Sequence, residues 1–252
     1  MARKKVREYD AKRVLKAAFA RLLGVQLPIV VAQVKEGIDF GELLQQNPWL
    51  STTKLVVKPD MLFGQRGKHD LLGINLDYGQ AQTFIKERLN RVVTVNECTG
   101  PITTFVIEPF QPHKEEYYLS VQSDRLGYEI LFCEAGGVDI EEHWDKLRTR
   151  EAGGLDIKEH WDKLRTIKFD TLDELNGHVV APLISMLPME VRPQLEAFII
   201  GIFKVFLDLD ATLLEMNPFT LIPMADGAPP APFPLDIRLE LDDTARFRSA
   251  PK

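Results

Sequence analysis

The sequence lacks three features that would point to a specialised setting. Its 252 residues include two cysteines, Cys98 and Cys133, which are too few for a disulfide framework or a set of zinc ligands. No apolar run reaches the roughly 18 residues that a membrane-spanning helix needs. The net charge of −6 argues against a broad nucleic-acid-binding surface. We therefore expect a protein of the reducing cytosol whose partners include neither a nucleic acid nor a membrane.

The amino terminus also lacks the features of a secretory signal. Residues 1–7 are rich in basic side chains, but Glu8 and Asp10 follow them and no apolar core does. What the chain does have is an apolar content of 45%, which is normal for a globular protein. Its length suits one or two lobes with a substantial core.

Helical and extended patterns are mixed along the chain. Apolar residues recur at helical spacing over 8–23, and Gly24 follows as a stop signal. Further helices are predicted over 38–46, 78–89 and 191–207. Strands are predicted over 27–34, 55–58, 71–76, 103–108, 117–123, 128–134, 212–216, 219–222 and 233–239. This mixture predicts a fold of the α/β or α+β class.

One segment occurs twice in a row. Residues 151–167 repeat 134–150 with three differences. Two copies are too few for a solenoid, and a tandem duplication explains them better than a metal site built from His143 and His160. Surface loops tolerate added length at little cost. We therefore expect the first copy to follow directly on the strand before it, and the second copy, or part of both, to form a surface insertion.

A candidate phosphate site lies near Lys58, which ends an apolar run and precedes the loop Gly64-Gln65-Arg66-Gly67-Lys68. Polyphosphate is bound by positive charge and backbone N–H donors. The Lys58 ammonium would act as a point charge, the glycines would let the backbone close over a phosphate, and Arg66 would add a fork of donors. The spacing matches neither a P-loop nor a Gly-x-Gly-x-x-Gly motif. Taken alone, Lys58 and Arg66 are better explained as ordinary surface charges.

Candidate adenine and ribose contacts follow a predicted strand. The segment Val106-Ile107-Glu108-Pro109-Phe110 turns at a proline, where exposed backbone groups can pair with the edge of an adenine ring. Glu116 lies just beyond and could accept hydrogen bonds from ribose hydroxyls. A strand end with a solvated glutamate is the alternative.

A candidate magnesium site involves Asn217 and Asp236, which end two apolar strands that a hairpin could bring together. Mg²⁺ prefers hard oxygen ligands, usually one or two protein carboxylates with phosphates and waters. Capping and turn formation beside Pro218 and Pro234 is the alternative for each residue.

Together these segments resemble the amino-terminal part of ATP-citrate lyase, and most closely the separate A (alpha) subunit of plants, algae and fungi. The resemblance covers nearly the whole chain except the second repeat. The motifs that carry it are Pro48-Trp49-Leu50, Val56-Val57-Lys58-Pro59-Asp60 with Arg66-Gly67-Lys68, Ile107-Glu108-Pro109-Phe110 with Pro112-His113, Gly136-Gly137-Val138-Asp139, Glu215-Met216-Asn217-Pro218 and Leu235-Asp236-Ile237-Arg238.

The resemblance implies an ATP-grasp fold of two lobes over 1–252, similar to the beta subunit of succinyl-CoA synthetase. Residues 20–100 would form a lobe inserted into the main lobe of 1–19 and 101–252. The family uses ATP and coenzyme A to cleave citrate into acetyl-CoA and oxaloacetate. This domain would bind Mg·ATP, and the histidine that accepts the phosphoryl group would belong to a CoA-ligase-like B (beta) subunit.

The resemblance also implies individual roles in the site. Phosphate contacts would come from Lys58, Arg66 and Gly67, and backbone contacts to adenine from Pro109 and Gln111. Glu116 would bind the ribose, and Asn217 and Asp236 would bind Mg²⁺. None of these residues would be catalytic in the covalent sense, because the domain would act by positioning and charge neutralisation.

The sequence also departs from the family pattern. It ends at Lys252, so we expect no citrate-binding domain, and Leu239 stands where the family often has glycine. Two other hypotheses stay open. One is a succinyl-CoA synthetase beta-like subunit, although Pro59-Asp60 replaces the usual Ala-Gln of that family. The other is a non-catalytic scaffold that binds nucleotide.

Overall fold

The computed structural model describes residues 3–62, 70–95, 98–123, 126–137, 164–170, 175–224 and 227–245. The chain divides into two compact units. The larger unit consists of Met1–Val6, Val14–Pro28 and His113–Lys252, and the smaller unit of Arg7–Arg13 and Ile29–Pro112. The predicted division into an inserted lobe of 20–100 and a main lobe stays a prediction.

Helices and antiparallel strands alternate, which confirms the mixed class. Among the described residues the helices are α1 (Glu8–Leu23), α2 (Phe40–Gln46), α3 (Tyr78–Arg88), α4 (Gly177–Ile184) and α5 (Arg192–Asp208). In the same part of the chain the strands are β1 (Arg3–Val6), β2 (Ala32–Lys35), β3 (Leu55–Pro59), β4 (Gly73–Leu76), β5 (Val92–Val95), β6 (Cys98–Pro101), β7 (Thr104–Pro109), β8 (Tyr117–Ser123), β9 (Tyr128–Cys133), β10 (Leu164–Phe169), β11 (Ala211–Ile222), β12 (Ala231–Pro234) and β13 (Ile237–Asp242).

The larger unit is built on an antiparallel sheet in the order β1-β13-β11-β8-β9-β10, with β12 paired to β11. Successive side chains of a strand point to opposite faces, so Tyr117 and Tyr118 lie on different sides of this sheet. Helix α5 packs on the apolar face, where the ring centroids of Phe198 and Phe219 are 5.3 Å apart. The other face carries polar side chains, among them Glu215, and belongs to the candidate site.

The smaller unit contains an antiparallel sheet in the order β2-β7-β3-β4 and the separate pair β5-β6. One face of the four-stranded sheet buries Leu55, Val57 and Ile107 in a core that also takes residues of α2 and α3. The opposite face carries Lys58 and Glu108, and the first residues of α1 pack over it. The two faces follow from strand alternation, since apolar and charged residues succeed one another in β3 and β7.

Several predicted elements match the structure closely, and a few do not. Helix 8–23, helix 78–89 and strands 117–123 and 128–134 agree to within a residue or two. The strand predicted over 27–34 is wrong in its first five residues, because only Ala32–Lys35 pairs with a neighbouring strand. Strands β1, β5, β6 and β10 and helix α4 were not predicted.

The second copy of the repeat ends within the sheet of the larger unit. The predicted surface insertion, formed by that copy or by part of both, stays a prediction. The last residues of the second copy form β10, which pairs with β9 in the register Leu164 with Cys133 and Ile167 with Ile130. The reason is the chain that follows, because Phe169 continues the strand and packs 5.0 Å from Phe203 between ring centroids. Residues 138–163, which contain the rest of both copies, lie outside the described residues.

None of the helices in the described ranges is long and apolar enough to cross a membrane.

Candidate functional site

Lys58 is the lysine of the predicted phosphate site, and its side chain is buried. Its side chain is 5% exposed, and Nζ lies 2.7 Å from Glu8 Oε1 and 2.6 Å from Glu108 Oε1. Glu108 is close because β3 and β7 pair with Val56 opposite Glu108 and Lys58 opposite Val106, which makes the two charged residues diagonal neighbours. Lys58 is therefore not an ordinary surface charge.

Glu8, a close neighbour of Lys58, was not among the predicted site residues. Glu8 and Lys12 are both buried and lie one turn apart at the start of α1, where Lys12 Nζ is 2.9 Å from Glu8 Oε1. Charged residues spaced i and i+4 on the buried side of a helix form a recognisable signal, because uncompensated charge is rarely buried. That signal shows that the pair needs a partner, but not which strand supplies it.

The other predicted nucleotide contacts of the smaller unit lie at the end of β7. Pro109 is the last residue of that strand and is registered opposite Leu55. The next amide, that of Phe110, donates to the Lys54 carbonyl at 2.7 Å, and Gln111 follows in a partly exposed segment without regular structure. Arg66 and Gly67 lie outside the described residues.

Asn217 and Asp236 are backbone neighbours in the larger unit, and their role as magnesium ligands stays a prediction. The Asn217 N–H donates to the Asp236 carbonyl at 3.2 Å, and the Asp236 N–H donates to the Pro218 carbonyl at 3.0 Å. The Asn217 side chain is held as well, since the Gly137 N–H donates to Oδ1 at 2.7 Å. Both side chains are partly exposed. The arrangement places an amide oxygen and a carboxylate where β11 and β13 meet.

Glu116, the predicted ribose contact, belongs to the same region of the larger unit. Its carbonyl accepts from the Gly136 N–H at 2.8 Å, and its Oε1 lies 2.9 Å from His113 Nε2. A methyl group at Gly137, whose φ is +75°, would lie 2.4 Å from Glu116 Oε2. The glycine pair thus allows Glu116 to lie close to the main chain that holds Asn217.

A further acidic residue, Glu215, lies two positions before Asn217 on the same face of β11. The Tyr118 hydroxyl donates to its Oε1 at 3.1 Å, and Arg238 Nη1 is 3.8 Å from its Oε2. Burial raises the pKa of Glu215, and the nearby Arg238 and the Tyr118 hydroxyl lower it only in part. Burial also raises the pKa of Tyr118. The strand alternation in Glu215-Met216-Asn217 could have revealed this residue.

The chemistry of these oxygens suits a hard cation. Mg²⁺ takes few ligands from a protein and completes its shell with phosphates and waters, so one amide and one carboxylate form a sufficient anchor. Within the described residues there is no group of three or more His, Cys, Asp or Glu side chains suited to holding a metal. The donors of Asn217 and Asp236 fit magnesium better than a metal that needs nitrogen or sulfur ligands.

The fold has counterparts among solved structures. A dinucleotide-forming acetyl-coenzyme A synthetase 1 from Ca. Korarchaeum cryptofilum matches with a TM-score of 0.58 over 95% of this chain and 94% of that chain, at 12% identity. A match at this identity shows the fold alone. The class follows from a family model instead, since residues 2–152 match an ATP-grasp domain.

The family follows from a closer match. Residues 2–152 match the family model described as the ATP-citrate synthase ATP-grasp domain, and the chain belongs to that family. It is 51% identical to the ATP-citrate synthase alpha chain protein 2 of Arabidopsis thaliana, over 100% of this chain and 54% of that protein. ATP citrate lyase from Methanothrix soehngenii, solved with citrate and coenzyme A, matches at 32% identity with a TM-score of 0.76, over 98% of this chain and 53% of that chain. The resemblance seen in the sequence is thereby confirmed.

The chain spans about half the length of the relatives it matches, 54% for the Arabidopsis protein.

Proposed function

We propose that this chain is the nucleotide-binding part of an ATP-citrate lyase subunit, which binds Mg·ATP and supplies the phosphoryl group for citrate cleavage. The observation that carries the proposal is the meeting of Asn217 and Asp236 beside Gly137 in a chain of this family. Hard oxygen ligands that the main chain has already positioned suit a magnesium-bound polyphosphate.

The individual residues would act by binding and orientation. Lys58, Arg66 and Gly67 would contact the phosphates, and the backbone of Pro109 and Gln111 the adenine. Glu116 would accept from the ribose, and Asn217 and Asp236 would hold Mg²⁺. When bound, Mg²⁺ would neutralise charge on the phosphate oxygens. The protein would lower the barrier by electrostatic preorganisation, without a covalent intermediate on this chain.

The assembly would need a second component. We propose a CoA-ligase-like B (beta) subunit whose histidine receives the phosphoryl group, with citrate and coenzyme A as substrates of the complete enzyme and the cytosol as its setting. Support comes from relatives that are named alpha chains and from the archaeal relative solved with citrate and coenzyme A.

Calorimetric titration with Mg·ADP tests nucleotide binding directly. The parent chain is expected to bind, and Lys58→Ala is expected to remove measurable binding because a buried positive charge at the phosphates is lost. Circular dichroism of the variant checks that it remains folded. A folded parent that binds no Mg·ADP would contradict the proposal.

The magnesium assignment has its own test. Asp236→Asn is expected to weaken Mg·ADP binding about tenfold while the melting temperature without ligand changes little, since one unit charge at the metal is removed. Asp243→Asn is a matched control, because Asp243 is exposed and follows β13. An equal loss of stability and affinity in Asp236→Asn would show a structural role for this carboxylate.

A further inference from the structure

Lys58 is one member of a ring of four buried charges, Glu8, Lys12, Lys58 and Glu108. Besides its contact with Glu8, the Lys12 ammonium contacts Glu108 Oε2. Each ammonium therefore touches both carboxylates, and each carboxylate touches both ammonium groups. All four side chains are at most 5% exposed. Water screens such a ring poorly, so a change of one charge is felt strongly by its neighbours.

The ring balances two positive charges against two negative ones. Lys58 alone beside Glu8 and Glu108 would leave one negative charge without compensation, and Lys12 supplies the missing positive charge. Buried ions are tolerated when they are paired in this way, and removal of one partner leaves the others unbalanced. Lys12 lies 46 positions before Lys58 in the chain, so only the packing of α1 on the sheet brings them together.

We infer that Lys12, Glu8 and Glu108 are positioning residues that set the electrostatic potential at Lys58 Nζ, and thereby the affinity of this lysine for nucleotide phosphates. The inference rests on the proposed function. In the parent the four charges sum to zero, so the ring itself adds no net negative charge behind the Lys58 ammonium. Without Lys12, the excess negative charge repels the phosphate and attracts Lys58 more strongly toward the carboxylates. Without the charge of Glu8, both effects reverse.

The test uses the opposite signs of two charge changes. Lys12→Met makes the ring net negative and is expected to weaken Mg·ADP binding roughly tenfold, the size expected for one unit charge several ångströms from a phosphate at the effective dielectric of a protein. Glu8→Gln makes the ring net positive and is expected to tighten binding by a similar factor. Calorimetric titration of the full chain at low temperature measures both dissociation constants.

A neutral double variant completes the cycle. Glu8→Gln combined with Lys12→Met removes one charge of each sign, and its dissociation constant is expected to return to within about threefold of the parent value. Each single variant removes two buried ion pairs, so a purely structural role would move both affinities in the same direction. Should a single variant fail to fold, Lys12→Gln and Glu108→Gln make the same two changes of net charge.

The outcomes separate this inference from the function on which it rests. Opposite shifts that cancel in the double variant support the ring as the determinant of phosphate affinity. The inference is overturned if the parent binds Mg·ADP through Lys58 and the two single variants shift its dissociation constant in the same direction or not at all. The proposed function is unaffected by that result. A folded parent that binds no Mg·ADP, or a Lys58→Ala variant that binds like the parent, overturns the role of Lys58 and the inference with it.

Discussion

The smaller and the larger unit hold their candidate nucleotide-binding residues in different ways. In the smaller unit Lys58 is buried among opposite charges, and its ammonium makes two close ion pairs. In the larger unit Asn217 and Asp236 are located by backbone hydrogen bonds and remain partly exposed. A buried charge must be balanced by other charges, whereas a partly exposed oxygen can exchange water for a cation. The smaller unit thus positions its candidate residue by ion pairs, and the larger unit positions its candidate residues by hydrogen bonds of the main chain.

The largest effect is expected when the balance of charges in the smaller unit is broken. Lys12→Met should lower the free energy of unfolding by about 3–5 kcal/mol, because two buried carboxylates are left with a single ammonium. Arg13→Met is the matched control on the same helix, since Arg13 is exposed and its pair with Asp10 is 3.8 Å long. We expect about 0.5 kcal/mol or less for the control. Urea denaturation followed by circular dichroism measures both, and equal small effects would remove the contrast between the units.

A smaller effect is expected when the main chain of the larger unit is disturbed. Gly136→Ala would place a methyl group 2.7 Å from the Tyr117 carbonyl oxygen, which belongs to a paired strand and cannot move easily. Overpacking of this kind should cost about 1–3 kcal/mol. Gly100→Ala serves as control, because a methyl group there has no neighbour within 4 Å. Thermal denaturation measures the melting temperatures of both variants. Equal melting temperatures would show that close backbone packing at Gly136 does not stabilise this region.

Deletion of residues 151–167 tests whether strand pairing, rather than a particular copy of the repeat, defines the edge of the larger unit. The deletion joins Arg150 to Lys168, so that Leu147-Arg148-Thr149-Arg150 can take the place of Leu164–Ile167 in β10. We expect a loss of about 1 kcal/mol, because arginine replaces the partly buried Ile167.

Arg150→Ile in the shortened chain should restore that loss, as measured by its unfolding midpoint in urea. A much larger loss that this substitution does not restore would show that the second copy is an integral part of the core.

The smallest effect is expected for Glu215 of the larger unit, whose carboxylate lies 3.8 Å from the Arg238 guanidinium. Burial raises the pKa of Glu215, so its ionised form is less favourable in the folded chain than in the unfolded one. The parent should therefore lose stability relative to Glu215→Gln as the pH rises through the raised pKa, and the two should converge below about pH 4.5. Unfolding curves at several pH values measure the difference. A variant that is less stable than the parent at neutral pH would show that Arg238 compensates the burial of Glu215.

Much of the local structure was predictable because it depends on short spacings. Helix 8–23 followed from its apolar periodicity, and α1 buries Ala11, Leu15 and Ala18 as that periodicity requires. The strands near Lys58 and Asn217 were predicted from apolar runs that are bounded by turn residues. Helix α4 was missed because a proline, Pro182, lies inside it.

The candidate site was predictable only in part. Asn217 and Asp236 were expected to meet because a hairpin joins their strands, and the structure places them in hydrogen-bonding contact through the backbone. The surroundings of Lys58 were not predicted, because Glu8 and Lys12 lie on a helix far away in the sequence. Their roles, like those of the other site residues, stay predictions until nucleotide binding is measured.

The sequence by itself determined the family, the mixed class of the fold and the oxygen and lysine side chains available for a nucleotide. These depend on residue identity and on periods of two and 3.6 residues, which are local properties of the chain. The tertiary structure alone decided that Lys58 lies within a neutral ring and that the end of the second repeat becomes β10. Both arise from contacts between distant segments, where strand register and helix docking choose one partner among several that the sequence allows.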